Sequence, residues 1–158
     1  MLWTLIPGMA ILNRASGMTE WFPGRNIYAT SLLALLFGWW LIEPVFGLAL
    51  CMSMLVYRLP GWYKMADIGT VTGNPVPEFF GMAFRATWFF PAFIYAYSKT
   101  GNAQVVLTCL VAAAFGFALS YAIGMRVIKL ADRGVLPEVF GGASLGAGLY
   151  AALSIGHA

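Results

Sequence analysis

An uncharged stretch at residues 105–125, VVLTCLVAAAFGFALSYAIGM, constrains the fold more than any other part of the chain. As a helix it would be about 31 Å long, which is enough to cross the hydrocarbon core of a bilayer. Small residues recur at every fourth position and would form a stripe along this helix: Thr108, Ala112, Gly116, Ser120 and Gly124. Such stripes let helices approach closely in lipid. We therefore expect this helix to be the main packing element, with Phe117 on its lipid-facing side.

Composition places the chain among membrane proteins. It has 158 residues, of which 61% are hydrophobic and only 9% are charged, whereas soluble domains have about 25% charged residues. The net charge of +3 arises without a basic cluster, so we expect the lipid bilayer as a partner and no nucleic acid. The prediction is an all-α, polytopic helical membrane protein that forms one domain over residues 1–158.

Apolar stretches separated by polar loops predict about five membrane-inserted helices. Their expected ranges are 27–42, 45–57, 79–97, 103–125 and 139–155. Residues 1–12 are apolar but too short for a crossing and contain Pro7-Gly8, which favours an interfacial or half-inserted segment. Pro91 predicts a kink or a local contact with water within the third span.

The apolar stretch 27–57 is interrupted only by Glu43-Pro44. One kinked helix through it would be about 46 Å long, too long for a comfortable crossing; a tight turn would give a short hairpin. The hairpin leaves only Lys99 on the far side and places the other loop cations on the near side: Arg14, Arg25, Arg58, Lys64, Arg126, Lys129 and Arg133. The single helix divides them three against five. Because basic residues collect in cytoplasmic loops, we expect the hairpin, with the N-terminus in the cytoplasm and the C-terminus outside.

The run Gly142-Ala143-Ser144-Leu145-Gly146 matches the G-x-S-x-G pattern of serine nucleophiles. The chain has one histidine, His157, which would lie roughly 20 Å along the same helix from Ser144. A nucleophile and its base must lie within hydrogen-bond reach, so the pattern does not favour catalysis. Gly142 and Gly146, together with Ser144 and Gly148, instead predict a helix-packing face.

Arg85 and Glu43 are the two intramembrane polar candidates. Arg85 would lie about 9 Å below the near interface, where it could snorkel, pair with Glu78, Asp132 or Glu138, or line a pore. Glu43 could bind a proton or cation, or face headgroups at the far-side turn.

Cofactor sites are not predicted. No pair of histidines could hold haem, no carboxylate cluster suggests two metal ions, and no glycine-rich loop precedes a basic helix. Cys51 and Cys109 lie in apolar runs and are expected to be buried thiols. We therefore expect no cofactor, no metal and no catalytic residue.

Two short motifs resemble a known group of proteins. Gly61-Trp62-Tyr63-Lys64 follows the apolar hairpin, and Glu138-Val139-Phe140-Gly141-Gly142 opens the last span. Both resemble small integral membrane proteins of tailed phages and prophages. The resemblance implies a phage origin and little chemistry, since most such proteins have no assigned activity.

These features lead to two functional hypotheses. The first is a non-enzymatic bacterial inner-membrane protein that assembles with itself or with a host membrane protein, as a holin-like protein, a superinfection-exclusion factor, or an inhibitor or subunit of a larger complex. The alternative is a small oligomeric channel or transporter that uses Arg85, either alone or together with Glu43.

Overall fold

The computed structural model describes residues 1–17, 26–57, 75–127 and 135–155, and these residues form helices and no strand. Within these ranges, a 3-10 turn at Leu2–Thr4 is followed by seven α-helices: α1 (Leu5–Gly17), α2 (Asn26–Leu41), α3 (Pro44–Tyr57), α4 (Pro75–Thr87), α5 (Phe90–Thr100), α6 (Ala103–Val127) and α7 (Val135–Ile155). The predicted all-α class is therefore confirmed.

Two helices in the described part of the chain, rather than about five, are long and apolar enough to span a membrane. They are Ala103–Ile123 within α6, with a mean hydropathy of 2.1, and Pro137–Ile155 within α7, with a mean hydropathy of 1.2. The α2 and α3 helices are apolar but have only 16 and 14 residues. At the usual rise these correspond to about 24 and 21 Å, less than the hydrocarbon thickness of a typical bilayer.

The predicted hairpin is present, with its turn at Ile42 and Glu43 between α2 and α3. Gly38 and Gly47 face each other across it, and a Cβ added to Gly38 would lie 2.7 Å from the Cα of Gly47. A side chain at either position would therefore separate the two backbones. Pro44 begins α3, where its missing N–H removes no helical hydrogen bond.

The third predicted span is divided into α4 and α5 by a break at Trp88 and Phe89. Pro91 lies in the first turn of α5, and its ring disfavours a continuous helix because it clashes with the carbonyl four residues earlier, that of Thr87. Ser53 of α3 bonds at the break: its Oγ accepts a hydrogen bond from the backbone N–H of Ala92 at 2.9 Å. The expected kink is therefore a change of helix that a neighbouring hydroxyl stabilises.

The last helix, α7, lies between α1 and α6 and contacts both extensively. One of its faces meets the backbone of α1, since a Cβ added to Gly142 or Gly146 would clash with the carbonyl oxygens of Met9 and Leu5, respectively. Residues earlier in α1 thus lie beside residues later in α7, and the two helices are antiparallel. The centre of the bundle is therefore shared between α6 and α7, and α6 is not its only packing helix.

The N-terminal segment differs from the expected interfacial 1–12. Its helix continues to Gly17 and buries Leu5, Met9 and Leu12 within the bundle. Because α1 is antiparallel to α7, it begins at the end of the bundle where α7 finishes. This arrangement differs from the expectation that the two termini lie on opposite sides.

A second face of α7 meets α6. A Cβ added to Gly116 would lie 2.9 Å from the Oγ of Ser144, and one added to Gly148 would lie 2.6 Å from the Cβ of Ala113. Ser120 is half-buried, whereas Thr108 and Ala112 are exposed. The small-residue stripe of α6 therefore faces α7 at Gly116 but not at its N-terminal half. The surroundings of Gly124 lie outside the described residues.

The expectation that Phe117 faces lipid is wrong. Its side chain is 0% exposed, and its ring lies 4.8 Å from that of Tyr121 and 6.2 Å from that of Tyr57. Because α6 packs against α4 as well as against α7, its face with Phe117 is covered by other helices. The outward face of α6 instead presents Leu107, Phe115 and Leu119.

Replacement of Gly146 by alanine tests the α1–α7 contact. Gly→Ala within a helix stabilises by about 0.4–1 kcal/mol where the site has room. Here the new methyl group must push α1 away, and overpacking of this kind costs about 1–3 kcal/mol. We expect Gly146→Ala to lower the melting temperature in detergent; an increase would show that the two backbones are not in contact.

Candidate functional site

Arg85 lies near the end of α4 and is almost fully buried, with 1% of its surface exposed. Its Nε donates a hydrogen bond to the carbonyl oxygen of Tyr57 at 3.1 Å. Tyr57 is the last residue of α3 in the described part of the chain, so Arg85 bonds at that end of the helix. The guanidinium carbon also lies 5.4 and 5.7 Å from the ring centroids of Tyr57 and Phe117, a distance typical of cation–π contacts. Arg85 therefore joins α4 to α3 and α6.

A buried asparagine extends this polar cluster to α1 and α7. The Asn13 side chain is 0% exposed; its Oδ1 accepts a hydrogen bond from the Tyr57 hydroxyl, and its Nδ2 donates to the carbonyl oxygen of Glu138 at 2.6 Å. Nδ2 also lies 3.5 Å from the Tyr121 hydroxyl. The amide thus uses both its donor and acceptor groups inside the bundle, as a buried polar group must to offset its lost hydration. We name Asn13, Tyr57, Arg85 and Tyr121 the inner polar cluster.

An ion pair lies beside the inner polar cluster. Arg14 Nη1 is 3.1 Å from Glu138 Oε2, with side chains 31% and 14% exposed. Glu138 was one of three carboxylates predicted as an ion-pair partner of Arg85, and the structure shows it paired with Arg14. The other two named carboxylates, Glu78 and Asp132, have side chains outside the described residues, so pairing of Arg85 with them stays a prediction.

Glu43 occupies the opposite end of the bundle. Its Oε1 accepts a hydrogen bond from the Tyr95 hydroxyl at 2.6 Å and lies 3.0 Å from Lys99 Nζ. The Tyr95 hydroxyl and the Lys99 ammonium both stabilise the carboxylate and hold the pKa of Glu43 below its usual value. The hairpin turn is thereby tied to the C-terminal part of α5, and Glu43 is ionised at neutral pH.

The candidate serine is bonded within its own helix. Ser144 Oγ donates to the carbonyl oxygen of Phe140 at 3.0 Å, an internal bond common for serines in helices. The only histidine, His157, lies outside the described residues. Within those residues, no three side chains of His, Cys, Asp or Glu come together as a metal site would require.

The contacts of Arg85 and Glu43 bear on the channel hypothesis. Arg85 is enclosed by protein groups, and Glu43 shares one oxygen between two donors. The burial of Arg85 favours a structural role, because a charge that lines a pore is expected to face water; the Glu43 side chain stays 34% exposed. Transport through either residue stays a prediction.

Sequence reasoning missed most of the inner polar cluster. Asn13 follows the short apolar segment 1–12, and nothing in the sequence pairs it with Tyr57. The Glu43–Lys99 pair had a signal, since these were the two charges that the charge division left together on the far side. Opposite charges isolated at one end of an apolar bundle favour each other as partners.

Comparisons of the chain with protein-family models, curated proteins and solved structures gave no match. The function proposed below is therefore based on the sequence and structure of the chain alone.

Truncation of Arg85 tests the inner polar cluster. Arg85→Ala removes the donor to the Tyr57 carbonyl and leaves a cavity beside Phe117, for which buried large-to-small changes suggest a loss of about 2–5 kcal/mol. Lys99→Ala removes an equally charged but exposed side chain and should cost about 1 kcal/mol or less. Thermal unfolding in detergent measures both; equal losses would contradict the packed position of Arg85.

Proposed function

We propose that the chain is a non-enzymatic, multi-pass protein of the bacterial inner membrane. Its distribution of polarity supports this location. The polar side chains of Asn13 and Arg85 are buried and bonded inside the bundle, whereas large apolar side chains are exposed along the outer faces of several helices: Leu32, Leu33, Leu36, Val45, Leu48, Met52, Leu107, Phe115 and Leu119. An apolar exterior of this extent matches lipid rather than water. We infer that the shorter helices are also inserted, around α6 and α7.

Assembly with a further helix is the activity that the exterior supports best. Thr108 and Ala112 continue the small-residue stripe of α6 beyond its contact with α7, and both are exposed. The Thr108 hydroxyl donates a hydrogen bond to the carbonyl oxygen of Gln104 at 2.8 Å. Its proton is therefore already bonded within α6, and the position can face lipid or another helix. The uncovered half of the stripe therefore offers a close-packing face to another helix in the membrane.

The role we propose is carried out through this assembly, with a second copy or with a host membrane protein. Holin-like lesion formation, superinfection exclusion and inhibition of a larger membrane complex all require such contacts and no catalytic group. The resemblance of 138–142 and 61–64 to phage membrane proteins supports a phage origin.

Enlargement of Ala112 tests the proposed assembly. Ala112→Leu adds bulk to an exposed position and should leave the fold intact, while it separates helices that pack on the stripe. Ala29→Leu makes the same change at an exposed alanine of α2 and is the matched control. We expect crosslinking in membranes to give a dimer or a heteromeric adduct that is lost in Ala112→Leu and kept in Ala29→Leu. A strict monomer in mild detergent, with no adduct in membranes, would refute the proposal.

The antiparallel arrangement of α1 and α7 gives a topology that can be measured. In a variant without Cys51 and Cys109, we expect Trp3→Cys and Lys99→Cys to react with a membrane-impermeant maleimide added outside the cell. Lys64→Cys, in the segment between α3 and α4, should react only after lysis, because basic loops stay in the cytoplasm. Labelling of Trp3→Cys only after lysis would mean that α1 does not cross.

A further inference from the structure

A cleft opens at the end of the bundle where the α2–α3 turn meets α5 and α7. Its volume is about 310 Å³, and its lining residues are Leu2, Ile42, Glu43, Tyr95, Lys99 and Leu153. This volume lies at the lower limit of small-molecule sites, which combine apolar walls with a few polar groups. The cleft does the same, since its lining combines three leucine or isoleucine side chains with a carboxylate, a phenol and an ammonium.

The charges of Glu43 and Lys99 in the cleft offset each other, and both side chains can still form further hydrogen bonds. Tyr95 and Lys99 both bond to Oε1 of Glu43, and Oε2 accepts no hydrogen bond from the part of the chain that the structure describes. Lys99 uses one of its three N–H donors on Glu43, and 47% of its side chain is exposed. A ligand can therefore find one free carboxylate oxygen and free ammonium donors side by side.

This pair of groups selects a ligand with both charges. A simple anion would be attracted by Lys99 but repelled by Glu43. A simple cation would be attracted by Glu43 but repelled by Lys99. A zwitterion can place its anionic oxygen on Lys99 and its cationic group on Oε2. The cation must carry N–H donors to bond to Oε2. Among the described residues that line the cleft, Tyr95 has the one aromatic ring, and its centroid already lies 5.6 Å from the Lys99 ammonium. A quaternary ammonium, which prefers free aromatic faces, is therefore disfavoured.

We propose that the cleft binds the headgroup of a phospholipid that carries a phosphate and a primary ammonium. The apolar wall of Leu2, Ile42 and Leu153 would contact the adjoining glycerol and acyl carbons, which a soluble zwitterion lacks. This inference rests on the proposed membrane location, but it does not depend on assembly through α6. Membrane fractionation tests the location separately.

Lipid titration of the detergent-purified chain by native mass spectrometry tests the site. With matched acyl chains, we expect phosphatidylethanolamine to bind about fivefold more tightly than phosphatidylcholine, because only the primary ammonium can donate a hydrogen bond to Oε2 of Glu43. The preference is modest because a hydrogen bond to a partly exposed charge stabilises less than a buried one. Glu43→Gln should remove this preference. Equal binding of the two lipids to the parent protein, or tighter binding of phosphatidylglycerol, would overturn the proposal.

A blocking variant separates the cleft from the ion pair. Ile42→Trp fills the cleft from a partly exposed position and should abolish the preference, whereas Val45→Trp, exposed nearby but outside the lining, should retain it. Retention in Ile42→Trp would place the lipid elsewhere. Soluble phosphoethanolamine should bind much more weakly than the lipid; equal affinity would overturn the lipid assignment in favour of a soluble zwitterion.

Discussion

Direct backbone contact between α1 and α7 fixes the position of the buried polar groups. In lipid, burial of apolar side chains gives helices little reason to associate, so close van der Waals packing must hold them. Gly142 and Gly146 allow α7 to approach the carbonyls of Met9 and Leu5, and this contact sets the axial register of α1. A shift of one helical turn, about 5.4 Å, would carry Asn13 out of reach of both Tyr57 and Glu138.

The polar contacts then act at the two ends of a bundle whose middle is held by packing. At one end the inner polar cluster links α1, α3, α4, α6 and α7 through a few hydrogen bonds. At the other end, Glu43 ties the hairpin turn to α5. Hydrogen bonds in an apolar surrounding are strong and specific for partner and geometry, so they select one arrangement among helices whose apolar faces are interchangeable.

Local features of the sequence predicted local structure well. The α2–α3 turn at Glu43-Pro44, the kink near Pro91 and the contact of Gly142 with a neighbouring helix each depend on residues within a few positions. Long-range partners were not predictable in the same way, because Asn13 and Tyr57 lie 44 residues apart and carry no shared pattern. The error at Phe117 has the same origin: periodicity tells which residues share a face, but not how many neighbours a helix has.

The difference in exposure between the two charged regions decides which of them is chemically available. An ionisable residue within the membrane is by default a functional candidate, and Arg85 fits that description best from the sequence. In the bundle, however, a helix-end carbonyl and two aromatic faces replace its hydration, so its charge is used in holding helices together. Glu43 and Lys99 neutralise each other yet remain partly exposed. Among the charged side chains that the structure describes, the Glu43–Lys99 pair is therefore better placed than Arg85 to meet a ligand.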